Sequence, residues 1–117
     1  MKIGLDLDGT VYGYPEFFKE FIPAMVARGH QFFCTSAHGL DVWPQDCERL
    51  RALGIDPDMI SPSLMFPLSH TELSKKGWQA SQLDLIFEDD PRVQKFTRTP
   101  VFALPRVDRQ DYAFLRW

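Results

Sequence analysis

Two aspartates, Asp6 and Asp8, stand near the start of the chain with a single residue between them, in the stretch DLDGT. They follow an apolar run that is typical of a buried strand, so both acids come where that strand ends. Two charges kept there without a function would be costly to bury. Such a pair could simply end the strand in a polar turn, or it could form a metal site with a nucleophile. Gly9 would permit a tight turn behind them, and Thr10 is expected to hold that turn by a local hydrogen bond.

Polar residues also follow two later apolar runs. Thr35 and Ser36 end the run QFFCTS, and the acids Glu88, Asp89 and Asp90 follow the run DLIF. Parallel strands present their carboxyl ends at one edge of a sheet, where open α/β sheets bind ligands. Carboxylates and hydroxyls should therefore meet there, and such oxygen ligands suit Mg²⁺ together with a substrate phosphate.

Helical patterns separate the short apolar runs and supply the framework for these residues. Strands are predicted at residues 2–7, 31–36, 59–61 (with an extension through 64–66), 84–87 and 101–104. Helices are predicted at residues 15–28, 43–53, 71–80 and 91–97, with Pro23 expected to kink or split the first of them. This alternation predicts a three-layer α/β/α Rossmann-like domain with a five-stranded parallel sheet. The length fits one domain over residues 1–117.

Composition excludes several classes of protein. The net charge of −3 gives no overall attraction to nucleic acid or anionic membranes, so a nucleic-acid partner has no support from charge. No apolar run approaches the roughly 18 residues of a membrane span, and no secretory signal is visible. Cys34 and Cys47 lack CxxC spacing and are too few for a disulfide framework. A cytoplasmic protein without a membrane partner is the expectation.

The C-terminal part of the chain is locally basic and ends in an aromatic segment. Its arginines and lysine could be a solvated surface or a patch that attracts a phosphorylated substrate. The terminal apolar side chains could dock on the body of the protein or form a homo-oligomer contact; they are Tyr112, Phe114, Leu115 and Trp117. Among the histidines, His38 could line the mouth of the site, but a position in a solvated loop is favoured.

The stretches DLDGTVY, FFCTS, the lysines of LSKKGW and LIFEDDP resemble, in this order, the four motifs of the haloacid dehalogenase superfamily. The resemblance covers residues 2 to about 104 and implies an Mg²⁺-dependent phosphohydrolase that works through an aspartyl-phosphate. By resemblance, Asp6 would be the nucleophile and a metal ligand. Asp8 would be the general acid and base, and its backbone carbonyl would ligate Mg²⁺.

The resemblance also assigns roles to the remaining motif residues. Thr35 would hold a phosphate oxygen, with Ser36 as the alternative, and Gly9 and Thr10 would line the phosphate site. Lys75 or Lys76 would neutralise the carboxylate and phosphate charges. The other metal carboxylate would be Asp89, with Glu88 and Asp90 as alternatives. The substrate would be a phosphomonoester, with nucleotides and macromolecular phosphates as candidates.

Family members usually carry a cap domain, and this chain has no room for one. The segment from Thr10 to Thr35 has space for one helix, and that from Ser36 to Lys75 has space for a helix, a short strand and a loop. By resemblance, such capless members often act on large substrates. Two other functions stay open: a phosphotransferase that uses an alcohol acceptor, and a catalytically weak regulatory protein that binds metal or phosphate.

Overall fold

The protein is described by a computed structural model that covers residues 1–106. The predicted contacts of the aromatic segment at residues 112–117 lie outside the described residues. Five strands form one sheet: Lys2–Leu5 (β1), Gln31–Cys34 (β2), Ile60–Ser61 (β3), Leu85–Glu88 (β4) and Val101–Ala103 (β5). Three α-helices connect them: Pro15–Ala27 (α1), Trp43–Ala52 (α2) and Leu73–Ala80 (α3). Shorter helical turns occupy Leu7–Val11, Leu40–Val42, Pro57–Met59 and Pro91–Phe96.

The sheet is parallel throughout, with strand order β3-β2-β1-β4-β5. Along the chain, β2 and β3 are added on one side of β1, and β4 and β5 are then added on its other side. Leu5 at the end of β1 pairs with Cys34 of β2 and with Phe87 of β4. The direction of winding therefore reverses between β1 and β4, which is where open α/β sheets bind their ligands. The predicted fold class is confirmed.

Side chains alternate along the strands, so the core forms two clusters, one on each face of the sheet. Ile3 and Leu5 of β1 pack into one cluster, which also takes in buried side chains of α1 and α2. Ile86 of β4 packs on the opposite face of the sheet, together with Ala80 of α3 and Val93 of the turn Pro91–Phe96. Helical segments thus cover both faces of the sheet, and the fold has three layers.

Several predicted boundaries differ from the observed ones. The first two strands end at Leu5 and Cys34, before the polar residues that follow them. The extension of β3 through residues 64–66 is wrong, because a turn closed by the Met65 amide on the Pro62 carbonyl occupies that segment. The split of α1 at Pro23 is also wrong, since the helix runs unbroken across that residue from Pro15 to Ala27.

The connections around the sheet are short. Between β1 and β2 the chain forms only the turn after Asp6 and helix α1, and between β2 and α3 it forms α2, β3 and loops. Within residues 1–106 neither connection contains a second domain, as the sequence predicted. No helix in this part of the chain combines the length and the apolar character that crossing a membrane requires.

Candidate active site

Strand alternation brings a lysine and two acids together at the switch point of the sheet. Asp6 continues β1 on the face that Gly4 occupies, and Glu88 ends β4 on the face that Ile86 occupies, because side chains alternate along a strand. Helix α3 covers this same face. From it, the Lys76 Nζ donates to Asp6 Oδ1 at 2.8 Å and to Glu88 Oε2 at 2.9 Å. The three side chains form a nearly enclosed ionic cluster.

Gly77 explains how α3 comes close enough for its lysine to reach the sheet edge. A Cβ atom at this position would lie 2.4 Å from the Cβ of Phe96 and 2.6 Å from the Phe96 carbonyl oxygen. The helix therefore rests directly on the turn Pro91–Phe96. Gly77 lies inside α3, and its lack of a side chain permits this close contact.

Burial governs the charges of this cluster. Burial raises the pKa of Glu88 to about 9, and the neighbouring Asp6 charge adds to the rise while Lys76 opposes it. Burial likewise raises the pKa of Asp6, against the attraction of Lys76. Burial alone would lower the pKa of Lys76, but the two carboxylates more than offset this and lift it above its ordinary value. Lys76 is therefore a cation at neutral pH, and the raised pKa of Glu88 keeps a proton on that carboxyl group.

A residue of the turn after β1 contacts the second oxygen of the Asp6 carboxylate. Gly9 adopts a φ of 75°, in the left-handed region that favours glycine. The Thr10 hydroxyl then donates to Asp6 Oδ2 at 3.3 Å. The predicted roles of these two residues in the turn are confirmed. Asp6 is thus held at both oxygens, by Lys76 on one side and by Thr10 on the other.

Asp8 belongs to a second group of polar side chains that the sequence did not predict. Its Oδ2 accepts a hydrogen bond from His38 Nε2 at 2.8 Å, and His38 Nδ1 donates to the Asp46 carboxylate at 2.9 and 3.1 Å. The Tyr12 hydroxyl donates to Asp46 Oδ1 at 2.7 Å. Hydrogen bonds to Asp46 and Asp8 raise the pKa of His38 to about 10, so the ring is an imidazolium at neutral pH.

The placement of His38 in a solvated loop is therefore wrong, because its ring is held between two carboxylates. Only its nearness to Ser36 hinted at this position. Tyr12 and Asp46 carried no signal at all, since 34 residues separate them and each is ordinary in its local context. Contacts of this range depend on how α2 packs against the turn after β1.

The three acids at the end of β4, Glu88, Asp89 and Asp90, make different contacts. Glu88 Oε1 accepts hydrogen bonds from the amides of Asp89 and Asp90, which fixes the loop around the buried carboxylate. One oxygen each from Asp6, Glu88 and Asp89 can lie within 4.8 Å of one another, a separation that one metal ion could bridge. Asp90 instead pairs with Arg92 at 2.7 Å, and these hydrogen bonds lower the pKa of Asp90 to about 2.

The remaining predicted site residues differ in how near they lie to this cluster. Ser36 lines the cavity beside Asp6 and accepts a hydrogen bond from the His38 amide. Thr35 is buried, and its hydroxyl oxygen has no hydrogen-bond partner among the described residues. Lys75 lies away from Asp6 and Glu88. It pairs instead with Glu72 at 3.8 Å and stands over the ring of Phe66. Of the two lysines, only Lys76 contacts the acids.

A cavity of about 390 Å³ opens over the cluster. Its lining includes the acids Asp6 and Asp8 and the basic residues Lys76, Arg92 and Arg106. Arg106 approaches Asp89 at 3.5 Å and Asp90 at 3.7 Å. The cavity thus combines acids that could hold a cation with arginines that could hold an anion.

The fold and the site together define an open, doubly wound α/β protein with an acidic cavity at its topological switch point. Comparisons of the chain with protein-family models, with curated proteins and with solved structures give no match. The function must therefore be argued from the side chains of the cavity.

Proposed function

We propose that this protein is an Mg²⁺-dependent phosphohydrolase that cleaves phosphomonoesters through an aspartyl-phosphate on Asp6. The observation that carries the proposal is the ionic cluster at the switch point, where Lys76 contacts both Asp6 and Glu88. The resemblance of the four motifs to the haloacid dehalogenase superfamily points to the same chemistry.

Asp6 is suited to be the nucleophile. Its carboxylate is held at both oxygens and lines the cavity, so it needs little reorientation to meet a phosphorus atom. In the first step a carboxylate oxygen of Asp6 forms a bond to phosphorus, and the bond from phosphorus to the leaving oxygen breaks. Lys76 stabilises the charge that gathers on the phosphoryl oxygens during this transfer.

Asp8 is suited to be the general acid and base. It lines the same cavity, and its side chain is 42% exposed. In the first step Asp8 gives a proton to the leaving oxygen. In the second step it takes a proton from a water molecule that attacks phosphorus, and the bond from phosphorus to Asp6 breaks. Asp6 and Asp8 end in the states in which they began, and the products are an alcohol and inorganic phosphate.

The residues of the site fit a bound Mg²⁺ ion. The donor atoms are all oxygens, as Mg²⁺ prefers, and Asp6, Glu88 and Asp89 can each offer one within a shared radius. A divalent cation would displace the proton that the raised pKa keeps on Glu88, and it would balance the charge of both carboxylates. The ion would polarise the phosphoryl group and favour the ionised form of Asp6.

The cavity favours a phosphorylated substrate without selecting one molecule. Arg92 and Arg106 add positive charge to its lining, and guanidinium groups suit phosphate oxygens. The described part of the chain carries no cap over the cavity, so small phosphomonoesters and phosphates on macromolecules both have access. A nucleic-acid substrate has no support beyond this access.

The proposal is tested by release of p-nitrophenol from p-nitrophenyl phosphate, first with Mg²⁺ and then with excess EDTA. Wild type is compared with Asp6→Asn and with Asp58→Asn, a matched change at an exposed acid. We expect wild type and Asp58→Asn to be active with Mg²⁺ and inactive with EDTA. Asp6→Asn should be inactive in both conditions. Turnover by Asp6→Asn would exclude Asp6 as the nucleophile. Phosphate binding without turnover of any phosphomonoester would favour the regulatory alternative.

The metal ligands are tested separately by calorimetric titration with Mg²⁺. Asp89→Asn should weaken Mg²⁺ binding by about tenfold or more, because it removes one charged oxygen ligand. Asp90→Asn should have a smaller effect, since Asp90 is engaged with Arg92. The reverse order of effects would assign the ligand to Asp90 instead.

A further inference from the structure

A chain of hydrogen bonds runs from the cavity into the interior of the protein. It starts at Asp8, passes through both ring nitrogens of His38, and continues through the Asp46 carboxylate to the Tyr12 hydroxyl. Asp46 and Tyr12 are buried, and the guanidinium of Arg49 stands 4.2 Å from the centre of the Tyr12 ring. The inner end of the chain is therefore fixed between the turn after β1 and helix α2.

The backbone on both sides of His38 is fixed as well. The His38 amide donates to Ser36 Oγ at 3.0 Å, and the next amide, that of Gly39, donates to Ser69 Oγ at 3.1 Å. The carbonyl of Ala37 accepts from the amide of His70 at 2.8 Å. The imidazole thus has little freedom to move, either through its backbone or through its ring.

We propose that His38 is a positioning residue for Asp8: held by Asp46 and Tyr12, its imidazole fixes the orientation of the Asp8 carboxyl group that exchanges a proton with the substrate. This inference rests on the proposed phosphohydrolase function. Asp8 lies on the turn after β1 and is half exposed, so without such a contact its side chain would sample several rotamers. A general acid that is displaced by about 1 Å loses much of its effect.

A purely structural role for His38 makes a different prediction. In that case the imidazole would only tie the loop after β2 to helix α2 by its contact with Asp46. Replacing it would lower stability and would affect all substrates alike. Positioning of Asp8 instead affects most strongly those substrates whose leaving oxygen needs a proton.

The test compares kcat/KM for two substrates, p-nitrophenyl phosphate and phenyl phosphate, because phenol is the poorer leaving group. The proteins are wild type, His38→Ala, His38→Gln and the control His30→Ala, which alters a histidine that contacts the N-terminal amine. For His38→Ala we expect a loss on the order of 10- to 100-fold, larger for phenyl phosphate, with KM little changed. His38→Gln keeps an amide donor for Asp8 and should retain more activity than His38→Ala.

A double-variant comparison separates action through Asp8 from any other effect. In an Asp8→Asn background, His38→Ala should cause no further loss on p-nitrophenyl phosphate, because the group that it positions is already absent. Independent, multiplicative losses would overturn the inference. Circular dichroism shows whether each variant is folded. If His38→Ala does not fold, the two single variants His38→Gln and Tyr12→Phe replace it in the comparison.

The outcomes also distinguish this inference from the function on which it rests. If wild type has no turnover that requires Asp6, the proposed function fails and the role of His38 fails with it. If wild type is active but His38→Ala matches His30→Ala, or loses the same factor on both substrates, only the role of His38 is wrong. A larger loss on phenyl phosphate that disappears in the Asp8→Asn background supports it.

Discussion

Replacing Lys76 with methionine tests how strongly the ionic cluster depends on its single lysine. Methionine keeps most of the length and apolar surface of the lysine side chain and is a similarly good helix former, so the charge is the main change. In its absence the buried Asp6 carboxylate would face Glu88 without a cation. Lys75→Met is a matched control, because it makes the same change one residue earlier on the same helix.

The exposure of the side chains determines the expected magnitude. Lys76 is 12% exposed, and its partners Asp6 and Glu88 are 3% and 0% exposed. Removing one partner from such a buried ion pair typically costs about 3–5 kcal/mol of the free energy of unfolding. Lys75 and Glu72 are 39% and 63% exposed, and a pair of this kind contributes about 0–1 kcal/mol. We therefore expect a difference of about 3 kcal/mol between the two variants.

The assay is urea unfolding followed by circular dichroism at neutral pH, with EDTA present to exclude metal ions. The midpoint should fall strongly for Lys76→Met and little for Lys75→Met, with similar slopes. The double variant Lys76→Met, Glu88→Gln should recover part of the loss, because glutamine removes the carboxyl group whose ionised form would repel Asp6. Equal stability of the two single variants would refute the idea that a buried, uncompensated charge controls the cluster.

Two further predictions concern residues beside the cluster. Gly77→Ala should lower the free energy of unfolding by about 1–3 kcal/mol, because its Cβ would meet Phe96, even though alanine is the better helix former by about 1 kcal/mol. A raised melting temperature would contradict that contact. Burial lowers the pKa of His70, so below about pH 6.5 the unfolded chain binds more protons than the folded one and stability falls as the pH drops. His70→Phe should remove this component, so the difference in unfolding free energy between variant and wild type should change between about pH 7 and pH 5. A difference that stays constant over this range would show that His70 does not contribute.

The sequence predicted a five-stranded parallel sheet and the places where acids follow its strands. Apolar runs and the spacing of Asp6 and Asp8 are local features, and the parallel sheet follows from their alternation with helical segments. The turn at Gly9 and the hydrogen bond of Thr10 were predictable for the same reason. The unbroken α1 at Pro23 was not, because packing of its buried face outweighs a local preference.

Only the tertiary structure decided which members of each local group meet in the cavity. Adjacent residues on a helix point about 100° apart, so Lys76 reaches the acids while Lys75 turns away to Glu72. Adjacent residues on a strand point to opposite faces, which selects Glu88 as the lysine's partner. The contacts of His38 with Asp8 and Asp46 join segments that are distant in sequence. Such contacts arise from the packing of α2 and the loops around the sheet, and no local pattern in the chain encodes them.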